Sequence, residues 1–164
     1  MRDKYIRTIE TRNEEETKAF GKFLGEHAKA GDTFCLTGDL GSGKTVLTKG
    51  IAEGLGLSDE VTSPTFALMN IYQGEVPLYH FDVYRLEDPS MIADIGFYDF
   101  VGSDGVSVIE WADLIQDYLP DGYIRLDIKR DFKTGSDRRV ITVYQKGESM
   151  AHVLHALEER EKEL

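Results

Sequence analysis

The chain has 164 residues, of which 41% are hydrophobic, and it carries a formal net charge of −11. This length fits one domain with a sizeable core, and no apolar run is long enough to span a bilayer. Because no signal-type hydrophobic segment follows Met1-Arg2-Asp3-Lys4, we expect a cytoplasmic protein without a membrane partner. The acidic balance disfavours independent binding to nucleic acid, although a basic protein partner would be able to bring the chain to RNA.

The first predicted elements are a short alternating strand at residues 5–9 and an amphipathic helix after it. Thr11 and Glu14 have the spacing of a capping box at the start of this helix, and Gly31 is placed to end it. The apolar side chains that recur at helical spacing are Phe20, Phe23, Leu24 and Ala28.

The most informative segment is 38–45, Gly-Asp-Leu-Gly-Ser-Gly-Lys-Thr, which matches G-x-x-x-x-G-K-[ST] in full. A buried strand at 33–37, with Cys35 as a packing residue, precedes it, and a helix follows it. In this setting the loop N–H groups surround phosphate oxygens, Lys44 reaches the outer phosphates, and the Thr45 hydroxyl ligates Mg²⁺. The motif predicts a nucleoside polyphosphate site, and the alternative is a glycine-rich turn that happens to spell the pattern. The buried face of the following helix is predicted to be Val46, Leu47, Ile51 and Leu55.

Two hairpins and several helical segments are predicted beyond the loop. Residues 66–72 and 76–84 flank Gln73-Gly74-Glu75 as the first hairpin. A short helical region follows Pro89 and ends at Gly96, and a buried strand at 105–109 runs directly into a helix that Pro120 closes. The second hairpin, 123–128 with 140–144, is expected at the sheet periphery around a turn at 133–137, and residues 150–164 form a terminal helix whose charged end frays.

These elements predict an α/β fold: a single P-loop NTPase-type domain of three layers, with a mixed sheet and antiparallel hairpins. We assign residues 1–149 to the P-loop domain and residues 150–164 to a C-terminal helix and charged tail of the same domain.

Two acidic residues end apolar strands. Val106–Glu110 has the form of a Walker B strand, whose carboxylate holds Mg²⁺ directly or through water. The alternative for Glu110 is a carboxylate favoured by a helix N-terminus. Strand alternation places His80, Asp82 and Tyr84 on one face. The His-x-Asp pair there either binds a metal or orients water, or it is part of a hydrogen-bonded surface strip.

Four elements together resemble the TsaE (YjeE) family, the bacterial ATPases of tRNA threonylcarbamoyladenosine synthesis. In chain order they are the phosphate loop, Ser63-Pro64-Thr65-Phe66, His80-Phe81-Asp82-Val83-Tyr84-Arg85 and Ile109-Glu110-Trp111. The resemblance is strong over residues 34–119 and extends to the N-terminal strand–helix unit and to Arg139-Val140-Ile141. It implies that ATP and Mg²⁺ are the ligands and that ATP hydrolysis is the reaction.

The resemblance also implies a role for each matching residue. Lys44, Asp82 and Glu110 are the expected catalytic residues, and Thr45, Glu110 and Asp82 are expected at the metal. Thr65 would belong to a switch-like loop, for which a plain turn is the alternative, and Trp111 is alternatively a core residue. The expected nucleotide-binding residues are Asp39, Leu40, Gly41, Ser42, Gly43, Lys44, Thr45, Val46, Thr65, Arg85 and Trp111.

One departure and one absence bear on the nucleotide. Family members commonly carry a second hydroxyl residue where this chain has Val46, so we expect a weaker grip on the inner phosphate. The guanine-reading Asn-Lys-x-Asp sequence is absent, which excludes the usual GTP recognition and is compatible with ATP.

The family resemblance implies partners of the TsaB and TsaD type, which transfer the threonylcarbamoyl group to the adenosine beside the tRNA anticodon. This chain would contact tRNA only indirectly, and its ATP hydrolysis would cycle the complex. Hydrolysis by the chain alone should be weak, since no arginine is assigned as a finger, although Arg85 is a candidate.

Two other classes of protein remain open. A small P-loop metabolite kinase has a similar length, but the only paired arginines, in Asp137-Arg138-Arg139, fall in a predicted hairpin rather than in a lid. A nucleotide-gated docking module without turnover is the other alternative. Transfer of phosphate to an added acceptor would identify the kinase. The docking module would show no ATP turnover of the kind that requires Mg²⁺, Asp82 and Glu110.

Overall fold

A seven-stranded mixed sheet organises the chain in the computed structural model, which describes residues 3–39, 41–58, 60–62, 64, 68–131 and 137–163. The strands are β1 (Lys4–Thr11), β2 (Thr33–Gly38), β3 (Met69–Tyr72), β4 (Leu78–Asp82), β5 (Val106–Glu110), β6 (Tyr123–Arg130) and β7 (Arg139–Lys146). The α-helices are α1 (Glu14–His27), α2 (Lys44–Gly54), α3 (Phe97–Phe100) and α4 (Ala151–Lys162), and two 3₁₀ helices span Pro89–Ile95 and Ala112–Tyr118.

The strand order is β1-β7-β6-β2-β5-β4-β3, with four parallel strands, β6, β2, β5 and β4, at the centre. Both predicted hairpins are confirmed as antiparallel pairs, β3 with β4 and β6 with β7. The second hairpin is not peripheral, because β1 pairs with β7 outside it and β6 pairs with β2 inside it. The predicted turn between β6 and β7 lies outside the described residues, except for Asp137.

Each face of the sheet buries its own apolar cluster. Leu78, Val106 and Val108 pack with α1, α2 and α4, whereas Tyr79, Phe81 and Ile109 pack on the side of α3 and the 3₁₀ helices. Alternate residues of β4 and β5 therefore serve opposite layers, as period-two strands require. The α/β fold with a mixed sheet is confirmed, whereas the boundary at residue 149 stays a prediction.

The helix ends differ from the sequence expectation at α1. Asn13, and not Thr11, caps this helix, with its Oδ1 accepting a hydrogen bond from the Glu16 N–H at 2.8 Å. Thr11 is still in β1 and bonds through its hydroxyl to that of Thr17 at 2.6 Å. The helix ends at His27, before Gly31, because Ala28 already has extended backbone angles.

The segment after β5 is a 3₁₀ helix rather than the predicted α-helix. It begins after Trp111, which has a left-handed φ of 63°, and Ile115 has a non-helical φ of −125° within it. Ala112 and Ile115, three residues apart, are both buried, and a 3₁₀ helix places residues at this spacing on one face. Residues 89–95 also form a 3₁₀ helix, which ends at Gly96 as predicted.

The sequence predicts that the charged end of α4 frays. In the structure the helix instead continues to Lys162. The Arg160 guanidinium lies 5.6 Å from the Phe20 ring and 5.3 Å from the Phe23 ring on α1. These cation–π contacts attach the last turns of α4 to the neighbouring helix.

Helices α1 and α2 are in backbone contact through four glycines: Gly21, Gly25, Gly50 and Gly54. A Cβ added to Gly50 would lie 2.2 Å from the Lys18 carbonyl oxygen, and one added to Gly25 would lie 2.2 Å from that of Ile51. Side chains at these positions would force the helices apart. The contact fixes α2, whose first turn follows the phosphate loop, against α1.

Candidate phosphate-loop site

The phosphate loop leaves β2 at Gly38 and enters α2 at Lys44. Gly38 has a φ of +137°, and a Cβ there would lie 2.3 Å from the Ile128 carbonyl oxygen. Gly43 has a φ of +116° and is the N-cap of α2 without a side-chain cap. Because no side chain caps α2, the positive end of its dipole favours an anion at this loop.

Lys44 is buried and anchored to its own loop. Its Nζ donates to the carbonyl oxygens of Gly38 and Asp39, both at 2.7 Å, and lies 4.1 Å from the centroid of the Trp111 ring. Burial lowers the pKa of Lys44, against the opposing effect of the nearby Glu110 carboxylate. The loop thus holds a desolvated cation where an added negative charge would be stabilised.

A cavity of about 300 Å³ opens beside the loop and collects most of the predicted residues. Its lining comprises Gly41, Ser42, Gly43, Lys44, Thr45, Val46, Asp82, Glu110, Trp111 and Arg139. The loop, β4, β5 and β7 contribute to this wall, so residues distant in sequence meet at the carboxyl end of the parallel strands.

Two of the described residues that were predicted to bind nucleotide, Arg85 and Asp39, do not take part in this lining. Arg85 is exposed and lies outside it, and Asp39 instead borders a neighbouring cavity of about 620 Å³. Leu40 and Thr65 lie outside the described residues, as do Ser63 and Phe66 of the predicted switch-like loop. The candidacy of Arg85 as an arginine finger receives no support from its position.

Sequence reasoning missed Arg139 as a member of the site. This side chain is buried, and a Cβ built on Gly43 would lie 3.1 Å from its Nε. Burial is the main cause that lowers the pKa of Arg139, with the charge of Arg130 adding to it. The paired arginines were visible in the sequence, but the position of β7, two strands from β2, was not.

Two carboxylates end adjacent parallel strands in register, since Asp82 pairs with Glu110. Asp82 Oδ1 accepts a hydrogen bond from the Tyr84 N–H at 3.1 Å. Burial raises the pKa of Asp82, and the neighbouring Glu110 carboxylate raises it further. Both acids line the cavity, and Glu110 also directly precedes Trp111, the N-cap of the 3₁₀ helix that follows.

His80 is fully buried, so the surface-strip alternative is wrong for this residue. Its Nε2 contacts Oε2 of Glu110, whose side chain is also buried. Tyr84 is exposed, and its ring lies 4.6 Å from that of Trp111, which is half-buried at the cavity wall.

The donors around the cavity suit Mg²⁺, which prefers oxygen ligands and usually keeps substrate phosphates and waters in its coordination sphere. They are the Thr45 hydroxyl and the carboxylates of Asp82 and Glu110. Among the described residues no cluster of three or more His, Cys, Asp or Glu side chains is arranged to hold a metal by itself. A metal shared with a phosphate ligand therefore fits these residues better than a metal bound by protein alone.

A phosphate loop between a buried strand and a helix, beside a strand that ends in a carboxylate, defines a P-loop protein of the α/β class. The sequence model of the family described as Threonylcarbamoyl adenosine biosynthesis protein TsaE matches residues 11–141, and the chain belongs to this TsaE family.

Relatives and a solved structure agree with this assignment. The tRNA threonylcarbamoyladenosine biosynthesis protein TsaE of Bacillus subtilis (strain 168) is 49% identical over 133 residues, which cover 80% of this chain and 81% of the relative. The protein of the same name from Treponema pallidum (strain Nichols) is 39% identical over 119 residues, 73% of this chain and 88% of the relative. A crystal structure of Bacillus subtilis YdiB is similar with a TM-score of 0.81 at 38% identity, covering 98% of this chain and 99% of that one.

The described part of the chain contains no helix that is both long and apolar enough to cross a membrane.

Proposed function

We propose that this chain binds ATP with Mg²⁺ and hydrolyses the β–γ phosphoanhydride, in support of tRNA threonylcarbamoyladenosine synthesis. The observation that carries the proposal is the convergence of Lys44, Thr45, Asp82 and Glu110 on one cavity at the phosphate loop. Family membership supports the pathway, because the matching family and both relatives are named for this modification.

The residues around the cavity divide the work of hydrolysis. The loop N–H groups and Lys44 bind the β- and γ-phosphate oxygens and stabilise the charge that moves onto the leaving ADP. Thr45 and Glu110 would hold Mg²⁺, which neutralises charge on the same phosphates. Asp82 orients water toward the γ-phosphorus or orders the metal's hydration shell. Water oxygen bonds to that phosphorus as the bond to the bridging oxygen breaks, and the products are ADP, inorganic phosphate and a proton.

Arg139 adds a second fixed cation at the cavity wall, beside Gly43. Its guanidinium is suited to phosphate oxygens, since it presents several donors in one plane. This supports a polyphosphate as the ligand, while the missing guanine-reading sequence favours ATP over GTP.

We propose that partners of the TsaB and TsaD type complete the activity and carry out the transfer to tRNA. The net charge of −11 supports this division of labour, because an acidic chain gains little from direct contact with RNA. Hydrolysis by the chain alone is then weak, and it cycles the assembly rather than supplying the transferred group. A cytoplasmic location remains a prediction.

The test is phosphate release from Mg-ATP, measured for the chain alone and again with TsaB and TsaD type proteins added. A low rate that rises with the partners supports the proposal. Rapid hydrolysis that the partners leave unchanged argues against the proposed cycling, and no hydrolysis in either case favours the docking-module alternative. Lys44→Ala and Thr45→Ala should abolish release, and full activity in Lys44→Ala would overturn the role given to the phosphate loop.

A further inference from the structure

An imidazole lies behind the Glu110 carboxylate, on the side of the sheet that faces α2. His80 stands opposite Val108 in the β4–β5 register, two pairs before Asp82 and Glu110, so its side chain and that of Glu110 share a face. His80 is fully buried from solvent, and it does not line the phosphate-loop cavity. Its contact with Glu110 Oε2 comes from Nε2.

The polar groups of this pair are unequally satisfied. A carboxylate oxygen only accepts, so Nε2 of His80 carries the hydrogen and donates it. His80 Nδ1 is buried and has no hydrogen-bond partner among the described residues. An imidazole in this position thus satisfies one of its two nitrogens, and it does so on Glu110.

A residue needed only for packing would be apolar at this position. Leu78, Val106 and Val108 occupy the same face of the same two strands and belong to the core with α1 and α2. Burying an imidazole with an unpartnered nitrogen among such neighbours costs free energy. This cost indicates that the contact with Glu110 serves the site rather than the stability of the core. Glutamate also has one more rotatable bond than the aspartate usual at the end of a Walker B strand, so its carboxylate needs more restraint.

We propose that His80 is a positioning residue for Glu110: its Nε2–H holds Oε2 and turns Oε1 toward the phosphate-loop cavity, which sets the affinity for Mg²⁺. The inference rests on the proposed function, in which Glu110 serves the metal. Partners of this kind behind a metal ligand typically change metal affinity by about 10–100-fold when they are removed.

Two substitutions of matched shape test the proposal. Gln at position 80 keeps an N–H donor close to the position of Nε2, whereas Met has nearly the same shape without the donor. Calorimetry would measure ADP binding to His80→Gln, His80→Met and the unsubstituted protein, first with EDTA and then over a series of Mg²⁺ concentrations. The Mg²⁺ concentration that produces half of the maximal change in ADP affinity should be about 10–100-fold higher for His80→Met than for the unsubstituted protein. His80→Gln should stay within about threefold of the unsubstituted protein, and all three should bind ADP alike in EDTA.

The Mg²⁺ response distinguishes a positioning role from a structural one. An unchanged Mg²⁺ requirement in His80→Met overturns the inference, and so does an equal loss of ADP affinity with and without Mg²⁺. Glu110→Gln in the same assay keeps the two proposals separate. If Glu110→Gln retains the full Mg²⁺ response, Glu110 does not bind the metal, and the proposed function is wrong on this point whatever His80 does.

A measurement on the unsubstituted protein covers the case in which His80→Met does not fold. Nitrogen-15 NMR of labelled histidines should find His80 protonated at Nε2, and Mg²⁺ added with ADP should shift this nitrogen. The remaining histidines, His27, His152 and His155, serve as internal references. An unprotonated Nε2, or a His80 signal that Mg²⁺ leaves in place, would overturn the proposal.

Discussion

The contact between α1 and α2 leaves no space for a side chain at Gly50, and Gly50→Ala tests this directly. The added Cβ would lie 2.2 Å from the Lys18 carbonyl oxygen and 2.9 Å from Gly21 Cα. Both atoms belong to backbone, so relief requires the helices to separate. Overpacking of this kind costs up to about 3 kcal/mol, and the higher helix propensity of alanine returns about 1 kcal/mol.

The net loss of about 2 kcal/mol corresponds to a melting temperature lower by about 4–8 °C for a domain of this size. Thermal and urea denaturation followed by circular dichroism would measure it. Glu26→Ala, on the exposed face of α1, is the control and should change stability by less than about 0.5 kcal/mol. A melting temperature for Gly50→Ala equal to or above that of the unsubstituted protein would refute the argument, since the helices would then have room to spare.

Three further predictions concern the site and the cap of α1. Arg139→Met should weaken Mg-ATP binding by about 10-fold or more, as expected for loss of a charged hydrogen bond. Arg85→Met, outside the cavity, is the control and should leave the affinity unchanged. Equal calorimetric affinities for the two variants would contradict this prediction. Asp82→Asn should abolish hydrolysis yet raise the free energy of unfolding at pH 7. Burial raises the folded-state pKa of Asp82 above its unfolded value near 3.8, so ionisation costs stability above the folded-state pKa, and the gain in urea denaturation should vanish as the pH falls below 3.8. Asn13→Ala should lower the free energy of unfolding by about 1 kcal/mol through loss of the cap. Urea denaturation should show a lower midpoint concentration with an unchanged dependence of the free energy on urea.

Features that depend on neighbours in sequence were readable from the chain. The phosphate loop needs its glycines and Lys44 within eight consecutive residues, and the alternation along β4 and β5 assigned His80 and Phe81 to opposite faces correctly. A short polar motif or a period of two carries its own geometry.

Features that depend on register between distant strands were not readable. The contact of His80 with Glu110 joins residues 30 positions apart, and Arg139 reaches Gly43 only because β7 lies two strands from β2. The change from α to 3₁₀ helix after β5 likewise follows from burial of Ile115 and the left-handed backbone of Trp111. Local propensity does not contain these tertiary constraints.

Trp111 is the only tryptophan of the chain, and its ring contacts both the Lys44 ammonium and the Tyr84 ring. It borders both the phosphate-loop cavity and the larger cavity of about 620 Å³ beside it. The tryptophan fluorescence of the protein therefore comes from the shared wall of the two cavities, next to a cation that a bound phosphate would engage. Emission from this single indole offers a label-free signal for ligands entering either cavity, and it can be followed in any assembly whose other members lack tryptophan.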